Sequence, residues 1–136
     1  MSQPLSEILD EAIQDEYKAR ATYRLILETL GEVRPFANIV EAEQRHIDAL
    51  QGLYNCYGIA LPRDEWPSRI SAPTTLLEAC QAGVQAEIDN AAMYDRLLAD
   101  SEGYPDVQAV LKNLQRASQE NHLPAFERCV QRESRR

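Results

Sequence analysis

Glu43 and His46 stand three apart in the run Glu43-Gln-Arg-His46, a spacing that on a helix sets the two side chains about 60° apart on one face. A carboxylate and an imidazole so placed are ligands for a divalent or trivalent metal ion. Two further glutamates each continue an apolar stripe. Glu16 lies in line with Leu9, Ile13, Tyr23 and Leu27, and Glu87 with Leu76, Cys80, Val84, Tyr94 and Leu98. The chain has two histidines, His46 and His122. Carboxylates and imidazoles on core-facing stripes would each cost several kcal/mol if buried without partners, a large part of the roughly 5 to 15 kcal/mol that holds a domain folded. A pair of metal ions compensates them together. A dimetal carboxylate centre takes one Glu from each of two helices and a Glu-x-x-His from each of the other two. Glu16, Glu87 and Glu43–His46 supply three of those four parts.

The fourth part departs from the pattern. Aligned on His122, the position equivalent to Glu43 holds Gln119, and the nearest carboxylate is Glu120, two residues before the histidine and about 200° away on a regular helix. Pro124 removes the hydrogen bond to the carbonyl of Glu120 and should kink the helix there. Three arrangements follow: Gln119 is a neutral ligand, the kink lets Glu120 reach the second metal, or the site is asymmetric or mononuclear.

Four helices must position these groups. Gly and Pro cut the chain into four long segments without strand-like alternation, expected as helices over about 5–30, 36–57, 75–99 and 106–132. Pro35 and Pro105 suit helix starts, Gly31 and Gly58 suit helix ends, and Thr75-Leu-Leu-Glu78 has the form of a capping box. On the second segment the core face should carry Ile39, Leu50, Leu53 and Tyr57. Residues 59–73 hold Pro62, Pro67, Pro73 and Trp66 and read as an extended crossover, with Trp66 plugging the bundle. The fold expected is all-α: a single domain of two antiparallel hairpins joined by one long crossover. An internal repeat supports it. A shift of 71 lays Ile13-Gln-Asp-Glu16 on Val84-Gln-Ala-Glu87 and Tyr23 on Tyr94, while a shift of 76 lays His46 on His122 and Leu50 on Phe126.

Composition narrows the partners. At 136 residues and a net charge of −8 the chain suits one domain and repels phosphate backbones and anionic lipid, so neither nucleic acid nor membrane is expected. The start, Met-Ser-Gln-Pro-Leu-Ser-Glu, has no basic region followed by an apolar one, and a cytoplasmic protein is expected. Cys56, Cys80 and Cys129 are odd in number and far apart, and are expected to be reduced core thiols. Taken singly, Glu16 and Glu87 would be partners for Arg20, Arg24 or Arg96. Tyr23 and Tyr94, one heptad after each glutamate, are read as core residues whose hydroxyls hydrogen-bond the ligands.

The ordered set Glu16, Glu43-Gln-Arg-His46, Glu87 and His122 on four repeat-related helices resembles the ferritin-like superfamily, in particular its small rubrerythrin-like members and those of unknown function with four-helix dimetal sites. The likeness extends from about Leu5 to Arg132. It implies a ferritin-like four-helix bundle holding two iron ions, with manganese or zinc as alternatives, and oxidase, peroxidase or ferroxidase activity on oxygen or peroxide. Rubrerythrins carry a Cys-x-x-Cys rubredoxin module that has no counterpart here, so an electron donor would be a separate protein, and a homodimer is expected rather than a storage cage. The alternatives are an iron-binding or storage protein and a non-catalytic interaction bundle with a degenerate site. A hydroxylase would need an organic-substrate pocket beside the metals, which the sequence does not locate.

Overall fold

The four expected segments are all helical in the computed structural model, which describes residues 3–136; Met1 and Ser2 of the start discussed above lie outside it. Helix α1 spans Leu5–Leu30, α2 Phe36–Tyr57 and α3 Leu76–Asp100. The fourth segment is α4, Pro105–Ala117, followed by a π-helical turn, Ser118–His122, and α5, Leu123–Ser134. Gly58 ends α2 in the left-handed conformation at φ 64°, which a side chain would oppose. Helix α1 packs antiparallel on α2, and α3 antiparallel on α4 and α5; the pairs meet through α1 with α3 and α2 with α4. None of the described helices is long and apolar enough to cross a membrane.

Two apolar clusters flank the middle of the bundle. One joins Leu9, Ile13, Leu50, Leu53, Tyr94, Leu97 and Leu111; the other joins Tyr23, Phe36, Ile39, Cys80, Phe126 and Cys129. Between them lie the glutamates and histidines. On α2 the buried tyrosine is Tyr54, whereas Tyr57, expected in the core, is exposed and donates to Asp106. By helical angle position 57 does share the Leu50 face, but it is the last residue of α2, at the end of the bundle, where its ring meets Tyr104 edge-on instead of entering the core.

The crossover is held by polar contacts. Tyr17 donates to the Pro62 carbonyl at 2.9 Å, Arg20 pairs with Asp64 at 2.9 Å, and Trp66 packs on the core while its indole N–H donates to Gln14 at 2.8 Å. At the start of α3 the Thr75 hydroxyl accepts from the Glu78 N–H at 3.1 Å and donates to the Glu78 carboxylate at 3.0 Å. Thr75→Ala is therefore expected to cost about 1 kcal/mol, read as a lower denaturant midpoint with an unchanged slope.

The cysteines depart from expectation. Cys80 of α3 and Cys129 of α5 form a disulfide, with Cα atoms 6.1 Å apart, and Cys56 is free but exposed. The pairing arises because α3 and α5 run antiparallel and bring residues 49 apart in sequence to the same level, which spacing alone does not reveal.

Candidate metal centre

Glu16, Glu43, His46, Glu87 and His122 come together at mid-bundle, each at most 9% exposed. They form two overlapping groups, Glu16–Glu43–His46 and Glu43–Glu87–His122, in each of which the donor atoms lie within 4.8 Å of one another. Glu43 belongs to both. Its Oε1 lies 3.2 Å from Nδ1 of His122, and its Oε2 lies 3.9 Å from Nδ1 of His46. His46 Nδ1 is also 3.1 Å from Glu16 Oε2, and His122 Nδ1 is 3.3 Å from Glu87 Oε1. The imidazole rings lie nearly parallel, 5.5 Å between centroids.

Donors about 2.1 Å from one ion and at right angles around it stand about 3 Å apart, close to the His46–Glu16, His122–Glu43 and His122–Glu87 separations. His122 Nδ1 is buried without a hydrogen-bond partner even though two carboxylate oxygens stand beside it. A nitrogen that faces carboxylates without hydrogen-bonding them has the geometry of a ligand sharing an ion with them. The donor set of three carboxylates and two imidazoles suits a pair of divalent or trivalent ions.

The carboxylates of Glu16 and Glu87 are also held by neighbours. Tyr94 donates to Glu16 Oε1 at 2.9 Å and Tyr23 to Glu87 Oε2 at 2.9 Å. The contacts are crossed: each repeat's tyrosine holds the other repeat's glutamate. Asn90 donates to both Glu16 and Asp15, at 3.1 and 2.6 Å, and Ser118 donates to Glu87 Oε1 at 2.8 Å. Such contacts orient carboxylate ligands.

Neither Gln119 nor Glu120 reaches the site; both are exposed. The kink expected at Pro124 is instead a widened turn, in which the Leu123 N–H reaches back five residues to the Ser118 carbonyl. Opening the turn rotates 119 and 120 to solvent and leaves Ser118, four before His122, facing inward. The fourth carboxylate is thus replaced by a hydroxyl that binds Glu87. Ser118, Asn90 and Asp15 were missed in the sequence. Asn90, three after Glu87 on the same face, was the legible one; Ser118 was hidden by the turn. The arginines go elsewhere: Arg20 to Asp64 and Gln44, Arg24 to Gln44, and Arg96 to Glu11.

Burial sets the protonation of the metal-free cluster. It raises Glu43 well above the usual carboxylate range, with the charges of Glu16 and Glu87 adding to the rise. Burial acts in the same sense on Glu16, but hydrogen bonds from Glu43, His46 and Tyr94 outweigh it and hold Glu16 low. Burial also raises Asp15, to about 6, and pushes both tyrosines well up, so they remain donors.

Glu43 binds a proton more tightly folded than unfolded, so its contribution to metal-free stability falls as pH rises above about 4.5. Glu16 contributes the opposite: stability present above its unfolded pKa and lost as pH falls toward 2. A metal bound by this cluster would have to displace a proton carried by Glu43. Calorimetric titration with Zn(II) near neutral pH, in buffers of different ionisation enthalpy, is expected to show about one proton released per loaded cluster and affinity that rises with pH.

A pocket of about 430 Å³ opens between α1 and α3. Its floor includes Tyr23, Glu43 and Glu87, and Ala19, Ala82, Gly83 and Ala86 form much of its wall. The glutamates shared with His122 are therefore reachable from outside, through the kind of pocket that the sequence did not locate.

Comparison with known proteins places the chain. No family model matches it. It is 31% identical to uncharacterized protein MJ0754 of Methanocaldococcus jannaschii, over 94% of this chain and 78% of that one. It belongs to the same family as that protein. The crystal structure of hypothetical protein MJ0754 from Methanococcus jannaschii superposes with a TM-score of 0.84 at 25% identity, covering 98% of this chain and 86% of that one. The helical bundle is thus shared with that protein.

Proposed function

We propose that the chain is a ferritin-like dimetal carboxylate protein that holds two iron ions and reduces peroxide or oxygen as an oxidase, peroxidase or ferroxidase. One observation carries this reading: the two oxygens of Glu43 face different histidines, so one buried carboxylate bridges two otherwise separate ligand sets. Glu16 and His46 would complete one metal's protein ligands, and Glu87 and His122 the other's. Two iron ions bound by these residues would supply a redox centre able to pass two electrons to an oxidant. Tyr94 and Asn90 hold Glu16, and Tyr23 and Ser118 hold Glu87, so the carboxylates are oriented before an ion arrives. The α1–α3 pocket ends at Glu43 and Glu87 and gives a small oxidant its way in. A degenerate bundle would instead pair Glu16 and Glu87 with arginines, and those arginines bind other residues.

The reading carries with it a separate electron-donor protein for sustained turnover, a homodimer and a cytoplasmic setting. It is tested by adding peroxide or oxygen to protein loaded anaerobically with Fe(II). Consumption of one peroxide per iron pair, with near-ultraviolet absorption appearing at the same rate, is expected. Iron that stays bound while neither oxidant is consumed would leave a storage or structural site.

A further inference from the structure

Cys80 precedes Glu87 by seven residues on α3, and Cys129 follows His122 by seven on α5. In this antiparallel pair the disulfide therefore lies two turns, about 10 Å along the helix axes, from the Glu87–His122 half of the metal centre. The space between is filled with rings. Phe126 sits against Gly83, its ring atoms 2.7 to 2.8 Å from where a Cβ would stand. Tyr23 packs on Phe126 at 5.6 Å between centroids, and its hydroxyl donates to Glu87. Sulfurs, Phe126 and Tyr23 belong to one buried cluster that ends at a metal ligand.

Both cysteines are 0% exposed. Disulfide exchange requires a thiolate to attack a sulfur directly, so an external disulfide or thiol oxidase has no access to the pair once the bundle has folded. An oxidant acting through the metal centre needs no such access.

We propose that the Cys80–Cys129 pair is the protein's own two-electron donor, oxidised from dithiol to disulfide by peroxide reduced at the metal centre. The inference rests on the dimetal reading above. The step balances: two thiols and one hydrogen peroxide give one disulfide and two waters. The O–O bond is broken and the S–S bond is formed at separate places: the two sulfurs give up the two electrons that reduce the peroxide, and the two thiol protons end on the water oxygens. The product ties α3 to α5, the helices that carry Glu87 and the residues after His122. Sustained turnover passes to an external donor, since the closed disulfide is as inaccessible as the thiols were.

The test uses Cys56→Ser protein, which removes the exposed thiol, made in metal-starved cells and purified anaerobically. Two alkylatable thiols per unfolded chain are expected before metal is added; a disulfide already closed at that stage would overturn the proposal. The protein is then loaded with Fe(II) or with redox-inert Zn(II) and given two equivalents of hydrogen peroxide, one for the iron pair and one for the thiols. In the iron protein both thiols should disappear with a 2 Da mass loss, at least tenfold faster than in the zinc or metal-free protein. Equal rates in all three, or peroxide consumed by the iron protein with both thiols kept, would overturn the proposal and leave the dimetal reading intact. Failure of iron to bind, read by metal analysis of the same samples, overturns both.

Discussion

Glu43→Ala is expected to reduce bound metal from two ions per chain to less than one, while Glu16→Ala and Glu87→Ala each lose about one. The difference arises because Glu43 serves both ligand groups and each of the others serves a single group. Glu43→Gln separates binding from folding. Burial and the charges of Glu16 and Glu87 favour the protonated form of Glu43 in the metal-free protein, so a neutral amide of nearly the same shape should alter metal-free stability by less than about 1 kcal/mol. It should still lower the affinity of both ions, because an amide cannot bridge as an anion. Elemental analysis after gel filtration, with thermal melts of the metal-free proteins, reads both effects. Equal losses in all three alanine variants would contradict the bridging role.

The second large effect lies beside the disulfide. Phe126 is wholly buried against Tyr23 and Phe36, at 5.6 and 5.1 Å between centroids, and Phe126→Ala should cost about 3 to 5 kcal/mol. Gly83→Ala gains about 1 kcal/mol in helix propensity, but its methyl would meet Phe126 at 2.7 Å. The ring has no room to retreat, so the net change is expected to be destabilising by about 1 to 3 kcal/mol. The double variant should cost less than the sum of the two, because the new methyl enters the space the ring has left. Denaturant unfolding of the four proteins measures this; strict additivity would mean that the two residues do not touch.

The sequence made the helices legible because capping and breaking residues coincide with the ends of apolar stripes, as at Gly31, Gly58, Thr75 and Pro105. Glu16, Glu43, His46 and Glu87 were legible for a related reason, since each interrupts or continues a stripe, and the repeat, which pairs Glu16 with Glu87 and His46 with His122, added His122. The pocket and the disulfide were not legible, since both depend on how α3 sits against α1 and α5. The fate of Gln119 and Glu120 turned on a single residue. A regular helix would have kept one of them near the site, but the widened turn before Pro124 exposes both and brings Ser118 inward. Tyr57 failed for want of the same local detail at the end of α2.

The most direct measurement is the metal content of the wild-type protein after anaerobic loading with Fe(II) and removal of the excess. The buried cluster bridged by Glu43 predicts two ions per chain, falling below one in Glu43→Ala. No retained metal in the wild type, or equal retention in wild type and Glu43→Ala, would contradict a metal pair held at this site.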